Sequence, residues 1–369
     1  MTKIKNGKKS KYLNLILVAV VILVVIGVII LNGDIEVTWD AIIHADYSWI
    51  ANALGVWFVF MLLDSAMMKV FFLQQGVHLR FHDAIVASLI GMFYSNITPA
   101  ATGGQPMQVL SLKRKGVHPG VGSSCLAVKF FCWQTALLLV GTVLWVANPD
   151  AGLPGGMIPF VVLGYVLNGA AVVVVFLLVI SPRAVTKLVN GVLRIGVFFH
   201  LVKDEASSRK KLEHSIEEFN ASVDMIKNHP LRLLWLLGIS VLQVVALMSI
   251  TYCVYRAMGL VQGEYVNILT IQTLLYIAVS FFPLPGAAGA QELGFGGFFG
   301  GVFGEKTSAA LLIWRFFTYY VMLLFGLGGT IEDSVYVMRR GKASNILEGI
   351  ERNAENPEEG PEEEAPSQK

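Results

Sequence analysis

The sequence predicts an all-α integral membrane protein with six transmembrane helices plus two re-entrant helical hairpins, related as inverted repeats. Three observations carry that prediction. Apolar residues fill 55% of the 369 positions and charged residues 15%, with 22 Phe and a mean hydropathy of +0.63, a composition foreign to water-soluble domains. Lys129 and Arg315, each followed by Phe-Phe and by an aromatic two further on, are cations inside membrane-length apolar stretches and lie 186 residues apart. The same step maps Pro99-Ala-Ala-Thr-Gly103-Gly104-Gln105 onto Pro285-Gly286-Ala-Ala-Gly289-Ala-Gln291. A repeated helix breaker followed by a repeated intramembrane cation is the pattern of a carrier.

Apolar runs long enough to cross about 30 Å of hydrocarbon occur near 12–31, 49–73, 121–147, 157–180, 231–255 and 307–331. The stretches near 84–112 and 267–303 are each broken by a Pro/Gly loop, which leaves arms of roughly 10 to 15 residues, too short to span. They read as hairpins that return to the side they came from. Segment 12–31 has the basic head of a signal peptide, but its long run and the lack of a small-residue cleavage site favour an uncleaved anchor.

Lysine and arginine placement sets the orientation, because short cytoplasmic loops hold the basic excess. Lys3, Lys5, Lys8, Lys9 and Lys11 start the chain inside, and the loop 32–48 is acidic with no Lys or Arg. Arg80, Lys113-Arg114-Lys115, the basic loop 181–230 and Arg339-Arg340 then fall inside, leaving Arg256 and Lys306 outside. Both termini are therefore expected in the cytoplasm. The first hairpin enters from inside and the second from outside, so the repeats, about 49–147 and 231–331, are inverted.

One membrane domain is expected over 1–342. Within it, Leu212, Ile216, Phe219, Val223 and Ile226 recur at helical spacing through loop 181–230, an amphipathic stripe that would lie on the lipid surface or pack under the bundle. The segment 343–369, with Glu358-Glu359 and Glu362-Glu363-Glu364 among Pro and Gly, reads as an acidic disordered tail. Cys125, Cys132 and Cys253 lie in apolar segments without disulfide or metal spacing, and read as small core residues.

Non-helical backbone is tolerated at membrane depth only where protein buries it or a wet cavity solvates it. The half-helices that start near Gln105 and Gln291 would turn free N–H groups and a positive dipole end toward an anion. Lys129 and Arg315 lie roughly 12 Å into their spans, where an unpaired charge costs several kcal/mol. Two readings stand for them. One is contact with a phosphate or other anionic head group; the other is an internal salt bridge, with Asp64 and Glu292 as the carboxylates at comparable depth. Glu292, whose counterpart is Pro106, is also a candidate proton-coupling group, and Lys69 is expected to snorkel to the interface.

The stretch from about 10 to 340 resembles the lysylphosphatidylglycerol synthase transmembrane region, also called the flippase-like domain of multiple peptide resistance factor proteins. The residues that carry the likeness are Asn96-Ile-Thr-Pro99 with Gly103, Gly104 and Gln105, then Pro283-Leu-Pro285-Gly286-Ala-Ala-Gly289 with Glu292, and the Arg315-Phe-Phe-Thr-Tyr-Tyr helix. The resemblance implies translocation of a phospholipid or lipid-linked anionic head group between leaflets, at a site built from these residues. With only an acidic tail after the membrane region in this sequence, a stand-alone member without the aminoacyl-transferase domain is expected, and lysyl-lipid is not carried over as the substrate.

Membrane lipids are the expected partners, with a lipid-modifying enzyme as a further candidate, and a prokaryotic plasma membrane the expected location. No nucleic-acid partner, cofactor, metal or catalytic residue is expected, since neither P-loop nor Rossmann fingerprint is present. Three alternatives stay open: a carrier of another small anion, an accessory protein of lipid modification, and an acyltransferase-like enzyme using the His78/Asp83 pair.

Overall fold

A computed structural model describes residues 35–181, 185–187 and 205–355. Within them the chain is helical: α1 (Ile35–Ile43), α2 (Tyr47–Gln74), α3 (Phe81–Ile97), α4 (Gly104–Arg114), α5 (Pro119–Ala147), α6 (Ile158–Ile180), α7 (Glu205–Lys227), α8 (Pro230–Ala257), α9 (Tyr265–Val279), α10 (Ala290–Phe303), α11 (Thr307–Arg315) and α12 (Val321–Glu355). Five stretches are long and apolar enough to cross a membrane: Tyr47–Gln74, Pro119–Ala147, Gly155–Leu177, Pro230–Ala257 and Pro285–Arg339, the last joining a hairpin arm to the final span. The expected crossing at 12–31 lies outside the described residues. The chain is a multi-pass membrane protein, and the outward residues of α6, among them Phe160, Leu163, Val166 and Phe176, are apolar and exposed as a lipid-facing surface requires.

The hairpins form as the arm lengths predict. In the first, Gly104 lies against Ser95 and the Gly91 carbonyl, and at its base Asp83 bonds Arg80 at 2.8 Å and Lys115 at 3.4 Å, so α3 and α4 run out and back. In the second, Gly294 meets Leu275 and Val279, which folds α10 onto α9. The tips touch, with the Ala100 N–H donating to the Pro283 carbonyl at 3.0 Å. A loop backbone group of one repeat is thus satisfied by the other.

The equivalent helices α2 and α8 pack antiparallel. Asp46 N–H donates to the Ala257 carbonyl at 2.8 Å, Gln243 reaches Asp64, Ser240 reaches Met67, and Arg232 reaches the Gln74 carbonyl, so numbers rise along one helix as they fall along the other. Inversion of the repeats is therefore a property of the helix packing and not only of the charge bias. Asp46 also caps α2 through Ser48, and the Ser48 hydroxyl and N–H hold its carboxyl below the usual range.

The hairpins are interlocked with the opposite repeat. Gly326 and Gly329 of α12 lie against Phe93, Leu89 and Val86 of α3, while Gly141 of α5 lies against Ile277 and Thr273 of α9. A third element, α6, lies outside both repeats; its Gly164 presses on the Ile277 carbonyl, and its fully buried Asn168 donates to the carbonyls of Gly164 and Ile277 and to Ser280.

Segment 205–227 is a helix, and it packs under the bundle: Gly120 of α5 lies against Ser215 and Glu218, Gln75 bonds the Ser222 carbonyl, and Val223 is buried. The Lys69 ammonium turns to the Leu79 carbonyl in the α2–α3 connector. All three cysteines are free and buried. The final helix continues to Glu355, past the expected tail boundary at 343, because proline-free sequence persists until Pro357; residues 356–369 lie outside the described part.

Close approach of α6 to α9 gives a direct test. A Cβ on Gly164 would stand 2.4 Å from the Ile277 carbonyl oxygen and 2.8 Å from Ala278 Cα, which backbone atoms cannot relieve by a rotamer change. Gly164→Ala is expected to destabilise the protein by about 1–3 kcal/mol, read as a lowered unfolding midpoint in detergent.

Candidate functional site

A cavity of about 570 Å³ lies between the two repeats, within the size range of ligand sites, roughly 300–1,000 Å³. Its wall draws on α2, α3, α5, α8, α9 and α11 and on both hairpin tips. Of the residues singled out in the sequence, Asn96, Gln105, Lys129, Gly286, Gln291, Arg315 and Asp64 line it. The others shape it. Pro99 and Pro285 open the two tip turns, Gly103 donates its N–H to Thr98, Gly104 permits the close packing of the first hairpin, and Gly289 turns with φ 84° into α10.

Both tips adopt one unusual conformation at equivalent positions. Ala100 and Ala101 have φ of 50° and 55°, and their counterparts Gly286 and Ala287 have 58° and 49°. Left-handed alanine costs roughly 1–2 kcal/mol per residue, so tertiary contacts hold these turns in place. At Gly286 a side chain is excluded as well, since a Cβ there would sit 2.4 Å from the Tyr319 ring.

Each cation is paired with a carboxylate. Lys129 bonds Asp64 Oδ2 at 2.5 Å, and the other oxygen, Oδ1, accepts from Gln243 at 2.7 Å. Arg315 is 2% exposed and meets Glu292 Oε1 through Nε and Nη2, each at 2.5 Å. Its Nη2 also reaches the Gly286 carbonyl at 3.2 Å, while Glu292 Oε2 accepts the Gly289 N–H at 2.6 Å. The anion expected at the start of α10 is therefore supplied by the chain itself: Glu292 occupies the dipole end and neutralises Arg315 at once. Of the two readings for the cations, the salt-bridge partners are in place, and both cations still face the cavity.

The helix after Arg315 is a π-turn over Phe316–Tyr320, whereas α5 runs on unbroken past Lys129. Single π-turns recur at functional positions in helices. This one carries Tyr319, whose hydroxyl lies 3.4 Å from the Asn96 carbonyl and so links the second cation helix to the first hairpin.

Several wall residues went unread in the sequence. Gln134, Gln243 and Gln272 are amides within apolar stretches, the same signal that exposed Lys129 and Arg315. Gln134 bonds Asn168 of α6 at 2.9 Å, and Gln272 accepts from Thr251 at 2.8 Å. Outside the cavity, the Asp83 carboxylate is engaged by Arg80 and Lys115 and His82 lies against Glu332, so Asp83 does not orient His78. No cluster of three metal-ligating groups is present among the described residues.

The family model for the lysylphosphatidylglycerol synthase TM region matches residues 15–326, which takes in both hairpins and both cations. The chain belongs to this family. A curated relative, a UPF0104 membrane protein of Archaeoglobus fulgidus, is 24% identical over 317 residues, covering 82% of this chain and 92% of its own length. In this member of the lysylphosphatidylglycerol synthase TM region family, the part common to the family contains the complete cavity wall.

Breaking one buried pair separates its structural weight from any other role. Arg315→Met leaves Glu292 charged without its cation, held only by the Gly289 N–H, and is expected to cost about 3–5 kcal/mol of stability. In Arg315→Met combined with Glu292→Gln, the amide oxygen still accepts the Gly289 N–H, so most of that loss should return. Thermal unfolding in detergent reads both; a single variant as stable as the parent would show that the pair is not formed.

Proposed function

We propose that this chain carries the anionic head group of a membrane phospholipid or lipid-linked compound between leaflets, without altering it covalently. The observation that carries the reading is the mouth of the cavity. Phe281, Phe282 and Leu284 at the second tip are 44%, 41% and 46% exposed and also line the chamber. A chamber that holds two cations and several amides and has an apolar rim suits an amphiphile: the head group goes inside and the chain stays in lipid.

The inverted pairing of the repeats supports a mechanism as well. Two halves of similar shape and opposite direction can exchange conformations about a fixed site, which alternates access without moving the site itself. The tips meet through the Ala100–Pro283 hydrogen bond, so relative motion of the hairpins would open the chamber to one leaflet or the other. Lys129 has three N–H donors, one used by Asp64, which leaves donors for a phosphate. The charged base of the first hairpin, where Arg114 pairs with Asp333 and Lys115 lies 3.5 Å from the centre of the Tyr336 ring, is assigned to the cytoplasmic side, together with both termini. A prokaryotic plasma membrane is the proposed location, and membrane lipids are the proposed partners.

Neutralised cations favour one second reading, an accessory protein that holds a lipid for a modifying enzyme and does not move it. Proteoliposomes with head-group-labelled lipids distinguish the two. The parent protein is expected to accelerate interleaflet movement, and Lys129→Met/Asp64→Asn and Arg315→Met/Glu292→Gln to slow it by about tenfold or more, the effect of a barrier raised by about 1.4 kcal/mol. No acceleration by the parent, or none lost in either double variant, would exclude transport at this site. A covalently altered lipid would indicate an enzyme instead.

A further inference from the structure

The cavity wall is richer in amides than in net charge. Its charged residues are Asp64, Lys129 and Arg315, and with Glu292 bonded to Arg315 the four formal charges cancel. A diphosphate or a bare phosphate dianion would meet two carboxylates along with the two cations, while one phosphodiester charge needs only the donors left on Lys129. Against this, Asn96, Gln105, Gln108, Gln243, Gln272 and Gln291 all line the chamber.

These amides are incompletely used by the protein. Gln243 is 2% exposed; its Nε2 serves Asp64, and its Oε1 is buried with no partner among the described residues. Ser88 Oγ and Trp314 Nε1, on two other sides of the same wall, are likewise buried and unpartnered. Those three atoms are closed off even from the chamber, whereas Gln105 is exposed and Asn96 and Gln291 are half-buried on its wall, so these are the carboxamides whose hydrogen-bonding capacity a guest can use. Gln105 and Gln291 stand one repeat step apart in the first turns of α4 and α10, and each brings a donor and an acceptor from its own half. Phe130, Trp133 and Tyr276 add aromatic surface between them.

Resting on the transport reading above, we infer that the head group is polyhydroxylated: a sugar or sugar-like polyol joined to its lipid through a single phosphodiester, recognised by the amides more than by the cations. Hydroxyls both donate and accept, which matches the two-sided capacity of carboxamides, and the flat C–H faces of a sugar ring suit aromatic walls. A site built to hydrogen-bond hydroxyls rejects analogues that lack them, because its own polar groups then go unpaired. The exposed apolar rim at Phe281 and Phe282 assigns the ligand to the lipid phase and not to a free sugar phosphate.

The test uses the full chain in nanodiscs, with phosphatidylinositol, phosphatidylglucose, phosphatidate and phosphatidylcholine of identical acyl chains competing against a fluorescent lipid. Glycerophosphoinositol serves as the soluble control. The two polyol lipids are expected to bind about tenfold more tightly than phosphatidate or phosphatidylcholine, as two or so net hydrogen bonds provide. Gln105→Leu/Gln291→Leu is expected to bring that ratio down to about unity, and both single variants to lower it. Equal or tighter binding of phosphatidate to the parent, or a polyol preference that survives the double variant, would overturn the inference while leaving lipid transport intact. Glycerophosphoinositol binding as tightly as phosphatidylinositol would overturn the lipid-borne source. Absence of binding and movement for every lipid would remove the transport reading and this inference with it.

Discussion

A charged side chain held away from both water and lipid needs a partner, and the Arg315–Glu292 contact is where this fold meets that requirement most fully. Arg315 belongs to α11, and Glu292 to the return arm of the second hairpin. Their 2.5 Å contacts fix how deep the hairpin tip sits against the span that follows it. The same two side chains bond the Gly286 carbonyl and the Gly289 N–H, two backbone groups that the broken helix leaves open. Pairing of charge and repair of the helix break are thus one structure. The first tip leans on the second through Ala100 and Pro283, so its position follows from the same contact.

Lys129 solves the equivalent problem differently. Its carboxylate, Asp64, comes from α2 of its own repeat, and the second oxygen of that carboxylate is held by Gln243 from α8 of the other. The first pair therefore ties together the two long antiparallel helices at the centre, while the second pair pins a hairpin. Backbone geometry repeats closely, down to the left-handed residues at both tips, but side-chain chemistry does not. Glu292 has Pro106 as its counterpart, and the π-turn after Arg315 has no equivalent after Lys129. Two halves of one shape with different chemistry give a chamber whose sides are not interchangeable.

Much of this architecture was legible from the chain because each cue acts locally. A Pro/Gly break inside an apolar run leaves arms too short to cross, so both hairpins could be read from residues 99–105 and 285–291, and the basic clusters around Lys113 and Lys211 gave their opposite senses. Intramembrane Lys129 and Arg315 stood out for the same reason. The amide wall was missed because a glutamine among leucines is a weaker signal than a charge, although Gln134, Gln243 and Gln272 sit in comparable apolar surroundings. Acidic composition predicts disorder from 343, whereas α12 continues to Glu355 through a segment that contains no proline before Pro357.

Hydrophobic length, helix breaks, the 186-residue repeat and the sidedness of basic residues are written in the order of the amino acids, since each depends on neighbours within a few turns and on the solvent the chain must face. Partner choice is not. Asp64 meets Lys129 across 65 positions and Gln243 across 179, and Tyr319 meets Asn96 across 223. Such distances are set by how helices pack, and packing is a collective property of every side chain at the interfaces. Which carboxylate each buried cation would meet was therefore decided only by how the two repeats pack together.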